Sequence, residues 1–191
     1  QILPLGPTEP FSSPYAPYSA FAGNPNYVSP EILVKDGLLS QDEIGFVPAK
    51  PFAWKRQLIL KAWERLNNNT NPRLLEDYWQ FCEENSFWLP DYTLFIALKE
   101  HFGYKAWLFW PDDLAKRHPY ALSLWRQKLE AQINIEKFAQ FLFFHQWQML
   151  KAYAHKKKIT FIGDLPIFVA HDSADVWANS QLFRLQPNGN P

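Results

Sequence analysis

The sequence predicts an α/β fold in which a long helical stretch separates two short strand-and-loop segments. Three observations predict it. Apolar residues recur at helical spacing between residues 50 and 158, short apolar or β-branched runs stand at 1–5 and 159–169, and a loop follows each run. The order is strand, long loop, helical insert, helix, strand, loop, which is that of an α/β protein whose loops follow its strands.

The first run, Gln1-Ile2-Leu3-Pro4-Leu5, is stopped by Gly6-Pro7-Thr8. Pro10, Pro14, Pro17, Gly23, Pro25 and Pro30 then punctuate a turn-rich stretch. Phe11, Tyr15, Tyr18, Phe21 and Tyr27 lace it with more apolar surface than a disordered linker carries, so an ordered loop held against a scaffold is expected. Ordered loops are where binding residues concentrate.

Helices are expected across 50–158. Ile59, Ala62, Trp63 and Leu66 fall at i, i+3, i+4, i+7, as do Leu75, Tyr78, Trp79 and Cys82, and again Phe138, Phe141, Leu142 and His145. Asp91 after Pro90 is expected to cap a helix through Leu94, Phe95 and Leu98 that stops at Gly103. Asn67-Asn68-Asn69-Thr70-Asn71-Pro72 reads as a polar turn between helices. One long helix is expected over about 133–157. Ile159-Thr160-Phe161-Ile162 then leads through Gly163-Asp164 into Leu165-Pro166-Ile167-Phe168-Val169, a strand entered from a helix, with Pro166 marking a bend.

Composition narrows the partners. The 191 residues carry 19 basic and 19 acidic side chains, which gives no electrostatic reason to expect nucleic acid or an anionic membrane. No apolar run approaches the roughly 20 residues of a membrane helix. The single cysteine, Cys82, excludes an intramolecular disulfide framework and any multi-cysteine metal site, and suits a reducing compartment. The chain starts with Gln1, so the lack of a visible signal peptide carries no weight. Aromatics reach 17%; most are expected in the core, but flat rings also stack on the C–H faces of sugars.

Two clusters could carry chemistry: Ser12 to Pro25, and Gly163 to Asn179. The second brings Asp164, His171, Asp172 and Asp175 around a strand end. Carboxylates there can hold sugar hydroxyls through directed hydrogen bonds, or act as acid, base or nucleophile. The structural alternative is that Asp172 or Asp175 caps the helix that follows. His171-Asp172 also occurs as a dipeptide in metal phosphohydrolases. His101, His118, His145 and His155 lack pair spacing, however, so no metal and no cofactor are expected.

Longer strings carry a resemblance. Gln-Ile-Leu-Pro-Leu-Gly-Pro-Thr at 1–8, Ser-Pro-Tyr at 13–15 and Ser-Ala-Phe-Ala-Gly-Asn-Pro at 19–25 resemble the second barrel strand and following loop of amylomaltases, the 4-α-glucanotransferases of the α-amylase clan. Phe-Leu-Phe-Phe-His-Gln-Trp at 141–147 is similar to that family's helix before the third strand. Ile-Gly-Asp-Leu-Pro-Ile-Phe-Val-Ala-His-Asp-Ser-Ala-Asp-Val-Trp at 162–177 is similar to its third strand and loop.

The resemblance implies the N-terminal part of a (β/α)8 barrel with an inserted all-helical subdomain: strand and substrate loop in 1–49, helical insert in 50–132, and helix, strand and active-site loop in 133–191. It implies a retaining transfer of α-1,4-glucan segments between maltooligosaccharides or starch chains. Tyr15 would stack under the sugar ring beside the scissile bond, Asp172 would bind hydroxyls of that ring, and Ser13 would assist beside Tyr15. The family's nucleophile and acid/base lie on later strands, so no catalytic residue is expected within the chain, and the chain alone is expected to be inactive. A cytoplasmic site is implied, or a plastid in a plant or alga. Glu9-Pro10-Phe11-Ser12 departs from the glycines common in the family, and Lys158 stands where a helix-ending glycine is common. The alternatives are an α-amylase-type hydrolase, against which the 162–177 string speaks, and a non-catalytic α-glucan-binding protein.

Overall fold

The computed structural model describes residues 1–8, 13–49, 51–68, 70–186 and 188–191. The expected loop departure at 9–12 and the turn position Asn69 lie outside the described residues. The chain forms two compact units, one of residues 1–23, 87–136 and 161–191, the other of 24–86 and 137–160.

The second unit holds α1 (Pro30–Lys35), α2 (Gln41–Ile44), α3 (Pro51–Asn67), α4 (Pro72–Glu84) and the larger part of a long helix, α8 (Glu130–Lys156). Local chemistry starts these helices. Ser40 and Glu43 close a capping box on α2, and Asn71 Oδ1 accepts from Leu74 N–H at 3.1 Å ahead of Pro72. The helical spacing read from sequence becomes an aromatic core. Trp63, Tyr78 and Phe138 meet with ring centroids 5.3–6.1 Å apart, and Tyr78 meets Phe141 at 5.7 Å. Gln146 bridges the backbone of Ser29 twice, accepting from its N–H at 2.7 Å and donating to its C=O at 3.1 Å. Lys158, the residue in place of a glycine, does adopt the left-handed conformation (φ 60°), and Ile159 N–H returns to Ala154 C=O at 2.9 Å as a helix-ending glycine would allow.

The first unit holds α5 (Leu89–His101), α6 (Asp112–Ala115), α7 (Pro119–Lys128), the start of α8, and α9 (Ala174–Ala178). Phe95 and Trp177 are fully buried and lie 5.9 Å apart, with Trp110 against both at 5.5 Å. Asp91 is not the expected cap. Trp88 occupies that position, Pro90 fills the first turn, and Asp91, inside the helix, accepts from Arg117 Nη2 at 2.9 Å and Arg126 Nη2 at 3.2 Å. Gly103 does end the helix, at φ 64°.

The expected strands at 1–5 and 159–169 are not formed: among the described residues there are helices and turns but no strand. The two segments do meet, with Ile2 N–H donating to Ile162 C=O at 2.9 Å. Pro4, Pro7 and Pro166 remove ladder donors, and parallel pairs are stable only where both faces are covered. Here Leu3, Ile162 and Ile167 are exposed by 56%, 67% and 92%.

Candidate functional site

The two loops singled out by sequence lie side by side within the first unit. Ala170 N–H donates to Pro17 C=O at 3.1 Å and Ala174 N–H to Tyr18 C=O at 2.8 Å. Ile2 N–H on Ile162 C=O adds a third backbone bond between the same two stretches. Asp175 locks the register: Oδ1 accepts from Ser19 Oγ–H and Oδ2 from Ala20 N–H, each at 2.8 Å. Within the first loop the chain folds back closely enough that a Cβ on Gly6 would lie 2.9 Å from Pro17 Cβ.

Tyr15 is half-buried, and its hydroxyl donates to Asp164 Oδ2 at 2.7 Å. That carboxylate holds the phenol proton, pushing the Tyr15 pKa above its usual value, so the group stays a neutral donor. Ser13 is exposed. Its Oγ accepts from Tyr15 N–H at 3.2 Å and its C=O from Ala16 N–H at 3.0 Å, forming the turn that presents Tyr15.

Asp172 is not a cap. Ser173 occupies that position on α9, its hydroxyl accepting from Val176 N–H at 3.3 Å, and Asp175 lies in the helix's first turn. The Asp172 carboxylate is held from α5 and the turn after it: Oδ2 pairs with Lys99 Nζ, and Oδ1 accepts from Trp107 N–H at 3.1 Å. Its side chain remains 19% exposed. Each carboxylate oxygen has two acceptor directions, so each retains one for a ligand. Neighbouring His171 Nε2 lies 2.8 Å from Gly189 C=O.

The structure thus ties Tyr15 to Asp164 and Ser13 to Tyr15, and carries Tyr15 and Asp172 on two hydrogen-bonded segments; it gives no direct bond between Tyr15 and Asp172. Sequence reading missed Lys99, Asp164 as the partner of Tyr15, and the Trp107 amide. Lys99 left a signal. It falls on the stripe of Tyr92 and Phe95, at i+7 and i+4, where a lysine implies a buried partner. The described residues hold no group of three or more His, Cys, Asp or Glu suited to a metal, and no helix long and apolar enough to cross a membrane.

Comparison with known proteins covers the chain as a whole. A family model described as 4-alpha-glucanotransferase matches residues 1–190. The 4-alpha-glucanotransferase of Synechocystis sp. is 41% identical over 98% of this chain and 39% of its own length. That of Thermus thermophilus is 40% identical over the whole chain and 39% of its own length. The chloroplastic/amyloplastic enzyme of Oryza sativa is 40% identical over the whole chain and 34% of its own. An amylomaltase from Streptococcus agalactiae, solved in complex with acarbose, superposes with a TM-score of 0.90 at 34% identity, covering 99% of this chain and 40% of that one. The chain therefore spans between about a third and two fifths of the length of the relatives it matches. With a family model aligned along its length, the chain belongs to the 4-alpha-glucanotransferase family.

Proposed function

We propose that the protein carrying this chain transfers α-1,4-glucan segments between maltooligosaccharides or starch chains by a retaining double displacement. The observation that carries the reading is that the two loops assigned to sugar binding by resemblance run side by side, with a tethered tyrosine on one and an anchored carboxylate on the other. Tyr15 offers its ring face to a pyranose, with Asp164 fixing the ring's orientation and Ser13 holding its turn. Asp172 accepts hydroxyl protons through the directions left open on its oxygens. The acarbose complex of the Streptococcus agalactiae relative supports glucan as the ligand class.

In this reading the chain is the N-terminal part of a (β/α)8 barrel, with 50–132 as helical insert between 1–49 and 133–191. The hydrogen bond that joins Ile2 to Ile162 supports it, as do the exposed apolar side chains along 159–168, which sheet neighbours would cover. On later strands a carboxylate attacks the anomeric carbon, and a second carboxylic acid protonates the leaving glycosidic oxygen. That second group then deprotonates the acceptor 4-hydroxyl, which displaces the carboxylate and regenerates both groups. The reaction needs no cofactor, and we place it in the cytoplasm, or in a plastid in a plant or alga.

Maltotriose distinguishes the outcomes. The full-length protein is expected to yield glucose together with maltooligosaccharides longer than maltotriose, while residues 1–191 alone yield neither. Glucose and maltose without longer products would make the protein a hydrolase, and binding without products would make it a glucan-binding protein.

A further inference from the structure

Lys99 is 1% exposed, on the fourth turn of a helix whose other buried residues are almost all apolar. Burying an ammonium is unfavourable unless each of its three donors is met. Acceptors around Nζ include Tyr104 C=O at 3.0 Å, Lys105 C=O at 3.3 Å and Asp172 Oδ2. The first two are aimed by a turn in which Gly103 and then Tyr104 take left-handed conformations, φ 64° and 61°. A non-glycine residue holds that conformation only when its surroundings impose it. The same turn delivers the Trp107 N–H to the other Asp172 oxygen at 3.1 Å. The Tyr18 ring, from the Tyr15 loop, lies 5.6 Å from Nζ.

Lys99 Nζ and the Trp107 N–H meet on one carboxylate. An aspartate on a loop has two rotatable side-chain bonds and would sample several orientations. Here one oxygen is fixed by a buried cation and the other by a backbone amide, which leaves one orientation for whatever the remaining lone pairs bind. The geometry points to Lys99 as a positioning residue for Asp172: the helical insert carries a cation that orients the sugar-binding carboxylate before substrate arrives. The inference rests on the glucan-binding reading of Asp172. A carboxylate oriented in advance spends none of the substrate's binding energy on being ordered, so its hydrogen bonds are available to the transition state.

Maltotriose disproportionation by the full-length protein tests it, using wild type, Asp172→Asn, Lys99→Met, the double variant and Lys99→Arg, with melting temperature measured alongside. Asp172→Asn and Lys99→Met are each expected to lower kcat/KM by more than about 10²-fold and to raise KM, with the double variant no worse than the poorer single. KM is the discriminating readout, because a residue that only stabilises the fold changes the amount of active enzyme and leaves KM alone. If Lys99→Met does not fold, Lys99→Arg decides. Its longer guanidinium keeps the charge but displaces the carboxylate, and is expected to lower kcat/KM about tenfold with melting little changed. Wild-type KM and kcat/KM in a folded Lys99 variant, with Asp172→Asn impaired, overturns the positioning role and leaves the glucan reading standing. Losses that multiply in the double variant overturn it as well. Normal kinetics in Asp172→Asn overturn both.

Discussion

The aromatic core of the 24–86/137–160 unit and the loop pair 13–23/161–175 are held together by different physics. In the first, Trp63, Tyr78, Phe138 and Phe141 bury rings against one another, and many residues share the stabilisation. In the second, besides backbone bonds, single charged or polar side chains tie the loops: Asp175 on Ser19 and Ala20, Asp164 on Tyr15, Lys99 and the Trp107 amide on Asp172. The difference teaches where each kind of substitution hurts. Dispersed apolar packing tolerates a change of shape that conserves volume, whereas a loop tied by single carboxylates loses its register with one side chain.

The largest effect separating the two is expected at Phe138, which is fully buried. Phe138→Ala should lower unfolding free energy by about 3–5 kcal/mol, and Phe138→Leu by much less, both read from urea denaturation. A Leu variant as damaging as Ala would make this core as particular as the loops. Next comes Asp175→Ala, which strands the buried Ser19 hydroxyl and the Ala20 amide. A loss of about 2–3 kcal/mol is expected, with faster proteolysis at residues 13–23 than elsewhere. Uniform proteolysis across the chain would show that the clamp does not set the loop.

The smallest effect is electrostatic, and it sharpens the contrast by locating charge within the aromatic unit. Arg65 donates to both Glu43 oxygens at 2.6 and 2.8 Å, holding that carboxyl at about 2 against an ordinary 4.5. The folded pKa is depressed, so the contribution is complete above pH 4.5 and is lost as pH falls toward 2. Asp36 runs the other way: burial raises its pKa, His145 opposing, so its ionisation weakens the fold as pH rises. Comparing wild type with Glu43→Gln cancels the Asp36 contribution. The stability difference should shrink between pH 5 and 2.5, and a constant difference would mean that the pair does not couple to folding.

The sequence made the helices legible because burial writes a period of 3.6 into them. The stripes at 59–66, 75–82 and 138–145 lie on α3, α4 and α8, and Gly103 ends α5 as read. The 159–169 segment carries strand-forming residues, but a strand exists only through its neighbours' hydrogen bonds, which no local pattern encodes. Asp91 was misread because Pro90 fits a first turn as well as a position before the cap, and its partners Arg117 and Arg126 are distant in sequence. At the candidate site, motif strings single out Tyr15 and Asp172. The residues that hold them, Asp164 and Lys99, are 149 and 73 positions away from their partners, so the pairing became visible only in three dimensions.

The central claim, that Asp172 binds glucan and does not merely neutralise Lys99, is tested most directly by kcat and melting temperature of full-length wild type and Asp172→Asn on maltotriose. The amide keeps the carboxylate's shape but loses the charge-assisted bonds, roughly twice as strong as neutral ones, that strengthen as the ring approaches an oxocarbenium-like transition state. The account predicts a fall in kcat on the order of 10²-fold, far beyond what any drop in melting temperature removes from the folded population. A lowered melting temperature with near-normal kcat would contradict it, leaving Asp172 as the counter-ion of a buried lysine.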